Sequence, residues 1–452
     1  MHRSGVRFPV ALAAALLLPA AAGGQGFGVY TQGACTMGRA GASVASPCRD
    51  GSAIYFNPAG IAVTPKRFSI GGTAIVPQST FQNDNTGLEG NFEDALYPVP
   101  NLYITGPVRD NVAIGIGVFV PYGLTTEWDR ETFEGRFLGY RSSLRAVYIQ
   151  PTVAVRFGKL SIGAGVDITN LSVKLQRRVD LSSVAAAPGV TFGNLGVPFG
   201  TDFADATLEG DAWGLGYHVG VLAELHPRVS LGIRYLSRQK LEADDGEARF
   251  SQVPTGLLLA AGNPLGAPAG TPIDALLAPQ FSLGGQLSTQ SATATVRLPD
   301  QAAVGIAVKP ATKLTLLVDA QYTWWNAFTE IPLSFELAPD QVLEENFNAV
   351  WTFRFGGEYQ LSDKRNSVLR AGWYTHDAAA PDESVTPNLP EAARTAFTLG
   401  FGTRLGQWIA LDAAYQYVDE ADRRGRTIEG PNNGLYRDQH AHLLGVSFVF
   451  DF

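Results

Sequence analysis

Beyond its first two dozen residues, this 452-residue sequence has no uncharged apolar run of 18 residues, so it contains no predicted transmembrane helix. Charge is scarce as well. Asp, Glu, Lys and Arg make up 17% of the chain, against roughly 25% in soluble domains. Arginine dominates the cations, and the formal net charge of −8 leaves no broad basic face, which argues against nucleic acid as a partner. The six histidines are scattered: His2, His218, His226, His376, His440 and His442. His376 beside Asp377 is the nearest approach to a catalytic pair, and no nucleophile, base and orienting group cluster in the sequence. No catalytic residue, metal or cofactor is therefore predicted, and no enzyme. Only two cysteines occur, Cys35 and Cys48, without the His neighbours of a zinc site. A disulfide between them would add on the order of 3 kcal/mol by loop closure. Bridged and reduced states both stay open at this point.

What is present begins with an export signal. Met1 to Phe8 carries His2, Arg3 and Arg7, followed by the apolar stretch PVALAAALLLPAAA. Ala20-Ala21-Ala22 fits a cleavage site, so residues 1–24 read as a signal peptide.

From about Lys66 the pattern has period two. In the last segment Leu444, Val446, Phe448, Phe450 and Phe452 share one face, against Gly445, Ser447 and Asp451. Leu160, Ile162, Ala164, Val166 and Ile168 oppose Ser161, Gly163, Gly165, Asp167 and Thr169 in the same way. Short turns near 107–111, 157–159, 226–228, 309–313, 361–366 and 404–408 alternate with long links near 83–95, 128–143, 179–207, 246–287, 337–345, 378–392 and 420–438. Seven long and six short links join fourteen strands, with both ends on the short-turn side. An even strand count with this loop rhythm predicts an all-β fold, a transmembrane antiparallel β-barrel over residues 66–452 in the outer membrane of a Gram-negative bacterium. A periplasmic or secreted β-sandwich would also alternate, but it does not explain the loop rhythm. The aromatic end, Phe448, Phe450 and Phe452, is similar to the signal by which barrel assembly machinery recognises its clients.

Fourteen strands enclose a lumen too wide for wall side chains alone to fill. Residues 25–65 alternate poorly, are rich in glycine and hold both cysteines, so they are expected to form an N-terminal hatch inside the lumen. Asn57-Pro58-Ala59-Gly60 reads as a turn that folds this segment back toward the first strand, stiff at Pro58 and hinged at Gly60.

The hatch stretches GFGVYTQGACTMGRAGASVA (26–45) and SAIYFNPAG (52–60) carry a resemblance. So do YGLTTEW (122–128), GDAWGLGYHVGVLAEL (210–225) and VRLPDQAAVGIAVKP (296–310). Across essentially the whole mature chain the sequence resembles the FadL/TodX family of outer-membrane transporters for long-chain fatty acids and other hydrophobic compounds. The resemblance implies a fourteen-strand barrel, a gating hatch, capture of hydrophobic ligand at outer loops, an inner pocket, and sideways release beside a kinked third strand. It implies partners that are a hydrophobic small molecule, outer-membrane lipid or detergent, and the assembly machinery, with a monomer expected. A general porin is the alternative reading, and an outer-membrane lipid-modifying enzyme a further one.

Several residues follow as candidates. Hatch and gating roles fall to Phe27, Asn57, Pro58, Ala59 and Gly60. Pro121, Tyr122 and Gly123 interrupt the lipid face of the third strand, because Pro121 lacks a ladder donor and Gly123 weakens a strand; they are the expected lateral opening. Two loops are rich in apolar residues, VTFGNLGVPFG (190–200) and TGLLLAAGNPLGAPAGTPIDALLAPQF (255–281). Phe192, Phe199, Leu257 and Leu258 are their candidate ligand contacts, and packing of the two loops on each other is the competing reading. For an acidic ligand, parity places Arg354 inward, with Arg234, Arg297, Arg370 and Arg394. Arg177 and Arg178 lie near a ligand-contacting Arg of the family, while Asn348 takes the place of the family's second ligand cation.

Overall fold

Side chains alternate between lipid and lumen through fourteen antiparallel strands in the computed structural model, which describes residues 27–187, 189–263, 265–362, 364–425 and 433–452. The leader expected over 1–24 lies outside the described residues. The first six strands are continuous: β1 (Arg67–Asn83), β2 (Tyr97–Arg109), β3 (Val112–Glu127), β4 (Arg141–Phe157), β5 (Leu160–Asp180) and β6 (Asp202–His226). The next four are each interrupted once. They are β7 (Val229–Leu236, then Gln239–Gln252), β8 (Gln290–Leu298, then Gln301–Ala311), β9 (Leu314–Thr323, then Glu330–Phe335) and β10 (Gln341–Glu344, then Val350–Ser362). Then come β11 (Ser367–His376), β12 (Arg394–Arg404), β13 (Ile409–Glu420) and β14 (Gly434–Asp451).

Each strand pairs with the next, and β14 returns to β1 in a ladder from Arg67↔Asp451 to Asn83↔Gly434. Closure removes the sheet edges that lipid could not satisfy. Six connections are tight, such as 158–159 and 227–228, and all lie at the end that holds the chain's C-terminus. Strands extend further toward the other end than the alternation alone indicated, because paired walls continue beyond the apolar belt. β7 runs to Gln252 and β6 begins at Asp202, both inside stretches expected to be loop.

The core lies within the barrel. Residues 31–45 are almost wholly buried, and the hatch meets the wall all round the lumen. It does so where the wall has no side chain. A Cβ built at Gly163 or Gly220 would collide with Asn57, Pro58 or Ala59; at Gly232 with Val44; at Gly372 with Arg39 and Ala40; and at Gly400 with Gly38. Close backbone approach is therefore what the inward glycines provide.

Buried polar contacts fix the hatch to the wall. The Asp319 carboxylate accepts from the Ser43 N–H (2.7 Å) and the Val44 N–H (2.9 Å). Arg39 donates to Ser43 Oγ (2.7 Å) and lies 4.0 Å from Glu358, which also accepts from Arg370 (2.8 Å). Cys35 and Cys48 are joined by a disulfide with Cα atoms 6.1 Å apart. Burial pushes the Asp50 carboxyl above its ordinary value, opposed by the hydrogen bond from Ser52. The Tyr30 hydroxyl is pushed up to about 12, first by burial and then by Tyr55, while Arg354 opposes the shift.

Candidate functional site

Inward positions change character along each strand. On β5 they read Ser161, Gly163, Gly165, Asp167 and Thr169 at the hatch level, then Leu171, Val173 and Leu175. Leu241 and Ala243 of β7, Val296 of β8 and Leu333 of β9 continue this upper apolar ring. With Phe27 of the hatch as floor, they enclose a cavity of about 400 Å³. That volume falls within the roughly 300–1,000 Å³ typical of small-molecule sites. Charged residues also line it, Arg177 with Glu209, Glu344, Glu345 and Glu383, of which Glu209 is paired with Lys174 (3.1 Å) and Arg249 (2.6 Å). Apolar residues on an inward face, where a water-filled lumen would carry polar ones, were the sequence signal for this cavity. The sequence reading assigned none of these apolar wall residues to a site, and of the cavity's lining it named only Phe27 and Arg177.

A second cavity of about 580 Å³ begins on the other side of Phe27. Tyr30, Tyr374 and Leu443 line it inside the lumen, yet Gly123, Ser143, Arg145 and Lys174, which face outward, line it as well. It crosses the wall where a ladder fails. β2 and β3 pair from Arg109↔Val112 only as far as Leu102↔Val118. On its other side β3 pairs with β4 to Glu127↔Arg141, with one extra residue between Phe119 and Tyr122. This bulge at Val120-Pro121 turns β3 away from β2.

The freed edge of β3 is taken up by the hatch. The Val29 N–H donates to the Pro121 carbonyl (2.8 Å), and the Gly123 N–H donates to the Phe27 carbonyl (2.9 Å). Gln32 adds a side-chain bond to the Val120 carbonyl (2.8 Å). Three residues of hatch thus stand where β2 would otherwise pair. Phe27 packs edge-on against Trp325 (4.8 Å between ring centroids), Phe328 (5.4 Å) and Tyr122 (6.0 Å). The Tyr122 hydroxyl donates to the Pro299 carbonyl (3.3 Å) and accepts from Gln301 (2.9 Å).

Asn57 caps a short 3-10 helix, Pro58–Val63, with its side-chain oxygen accepting from the Ala59 N–H (3.2 Å). Its amide donates to the carbonyls of Val44 (2.7 Å) and of Val221 in β6 (2.9 Å), so one side chain ties two hatch segments to the wall. Gly60 has no positive φ; a Cβ there would collide with Pro47 and crowd Ala53. In this structure the absence of a side chain at Gly60 permits that close packing.

The predicted ligand contacts separate. Arg177 reaches the 400 Å³ cavity and donates to Gln341 (3.3 Å). Arg178 does not line it, being buried in ion pairs with Asp205 (3.2 Å) and Asp202 (3.7 Å). Arg354 packs against the hatch, its guanidinium 4.2 Å from the centre of the Tyr30 ring and 3.1 Å from Gln321. Phe192 is buried in a core formed by the two apolar loops with Leu181, Phe203, Leu259 and Ile273, and Leu257 packs against it. Phe199 and Leu258 are exposed. None of these four lines either cavity, so the loops pack on each other and present only part of their apolar surface. Arg297 faces outward, against expectation, because the interruption at Pro299-Asp300 shifts β8 by one residue and so reverses its inside and outside.

One grouping was missed. Thr152 Oγ1 lies 2.9 Å from His218 Nε2, and His218 Nδ1 meets Asp167, which also accepts from Gln150 (2.7 Å). All four side chains are buried and none lines either cavity, so the geometry of a proton relay here forms a buried polar network within the wall, with Asp167 Oδ2 and Gln150 Oε1 left without a partner. Among the described residues no cluster of His, Cys, Asp or Glu could hold a metal ion.

A family model described as outer membrane protein transport protein (OMPP1/FadL/TodX) matches residues 14–452. The long-chain fatty acid transport protein of Escherichia coli K12 is 23% identical over 465 residues, 98% of each chain. Outer membrane protein P1 of Haemophilus influenzae Rd is 24% identical over 489 residues, again 98% of each. Among solved structures, a Pseudomonas aeruginosa FadL homologue superposes with a TM-score of 0.78 at 21% identity, covering 95% of this chain and 100% of that one. The Pseudomonas putida toluene transporter TodX gives 0.70 at 17% identity, covering 95% and 99%.

Proposed function

Because this chain belongs to the OMPP1/FadL/TodX family of outer-membrane transport proteins, we propose that it takes up hydrophobic small molecules by capture, storage and lateral release. Exposed apolar residues on the outer loops, among them Phe199, Leu258 and Leu283, collect the molecule. It then enters the 400 Å³ cavity above Phe27. Each buried methylene contributes about 0.8 kcal/mol, so filling such a cavity is favourable and leaving it is the slow step. Release follows when Phe27 to Val29 let go of β3 and the cavity joins the opening between β2 and β3.

The observation that carries this reading is the position of Phe27. It is at once the floor of an apolar cavity and, through its carbonyl, a bond to the edge of β3 that β2 leaves unpaired. The cavity favours uncharged cargo, since its wall is apolar and Arg177, which reaches it, already donates to Gln341. Mass spectrometry of hydrophobic compounds co-purified from membranes tests the proposal. An uncharged hydrophobe held stoichiometrically, and lost in Phe27→Ala, is expected. A preparation with an empty cavity and no uptake above vesicle background would refute it.

A further inference from the structure

The wall opening has an outer lip, and its chemistry differs from that of the inner cavity. Going up the lipid-facing side of β4 from the short-turn end, the residues are Val153, Pro151, Ile149 and Val147, then Arg145, Ser143 and Arg141. Arg145 is the first polar residue above the apolar belt. On β6 the belt ends at the same height with Leu215 and Trp213, both well exposed. Aromatic residues at such a boundary mark the level of lipid head groups. Arg145 pairs in register with Gly123 of β3, so it stands directly beside the segment whose ladder to β2 is missing. It also lines the cavity that crosses the wall there.

Its neighbours are already neutralised. Arg141 is paired with Glu127 (3.3 Å) and Lys174 with Glu209 (3.1 Å). Arg145 is exposed and has no carboxylate within ion-pairing distance among the described residues. The carboxylate in its row, Asp211, lies two strands away across Ser172, about 10 Å at ordinary strand spacing.

Building on lateral release as read above, we propose that Arg145 receives the anionic head group of an amphiphilic cargo as its chain slides between β2 and β3 into the membrane. A carboxylate cannot follow its chain into hydrocarbon without a large desolvation cost. A cation at head-group depth lets the chain leave sideways while the charge stays at the boundary. Arg145 is thereby a specificity-determining residue of the exit. It extends the range of a protein whose inner cavity favours uncharged cargo.

Uptake of oleate and of methyl oleate, which share a chain and differ only at the head, tests this in whole cells expressing the full chain. Rates are expressed per folded barrel from heat-modifiable migration. Arg145→Glu should slow oleate by about three- to fivefold, the scale of one exposed ion pair. Methyl oleate should be unchanged, and Arg145→Lys should retain oleate uptake. Equal losses for both cargoes would overturn the proposal and point to an anchor for a resident lipid. No loss for either would overturn it as well. A wild-type protein that carries neither cargo would instead refute the transport reading beneath it.

Discussion

Asn57 donates to the carbonyl of Val44 within the hatch and to that of Val221 in β6. Asn57→Ala removes both bonds at a cost of about 1–3 kcal/mol. The loss falls on the hatch, because the wall pairs through its own ladders. Hydrogen exchange should accelerate over residues 42–62 while heat-modifiable migration of the barrel is unchanged; a barrel that fails to assemble would show instead that Asn57 serves the wall. Asp50 allows a second test. Its carboxyl is raised by burial, so the stability it contributes to the hatch is fully present below the unfolded carboxylate pKa and is lost as pH rises through the folded value. Asp50→Asn should flatten that pH dependence of hatch exchange, and an unaltered slope would assign it to another group.

At the scale of elements, β3 carries the informative irregularity. Its bulge spends one extra residue at Val120-Pro121, and the hydrogen bonds that β2 does not supply come from Phe27 to Val29. A Cβ added at Gly123 would lie 3.6 Å from a Val29 methyl, in ordinary contact, so cysteines at these two positions are close enough to bridge. The pair Val29→Cys with Gly123→Cys should stop uptake when oxidised and regain it with reductant. Wild-type protein treated alike controls for the disulfide between Cys35 and Cys48. Undiminished uptake in the bridged protein would mean that the hatch edge need not leave β3.

At the scale of the whole molecule, the barrel is a container whose contents are its own N-terminal segment. A wall of this many strands would conduct ions freely if the lumen were empty. Here hatch backbone fills the space beside the inward glycines, and Phe27 closes the upper apolar ring from below. Planar-bilayer recordings of the full chain should therefore show no steady large conductance. A persistent open current would favour a general porin.

The sequence by itself determined what depends on local period and turn chemistry. Alternation over residues such as Leu444 to Phe452, and links that are short and long in turn, specify fourteen strands, their lipid faces and the end on which the loops gather. Those features arise within a strand or its turn, so each can be read without its neighbours. Only the tertiary structure decided what depends on which strand meets which. The reversal of Arg297 follows from the interruption at Pro299-Asp300, which β7 matches at Ser237-Arg238, so that both strands change face together. The burial of Phe192 follows from a second loop about sixty residues away in sequence, a distance no local pattern spans. The break at Pro121 is visible as a weak strand, but its repair by Phe27 to Val29 required closure of the barrel around the hatch. Hydrogen bonds and close packing between segments distant in the chain set those positions, and period two carries no record of them.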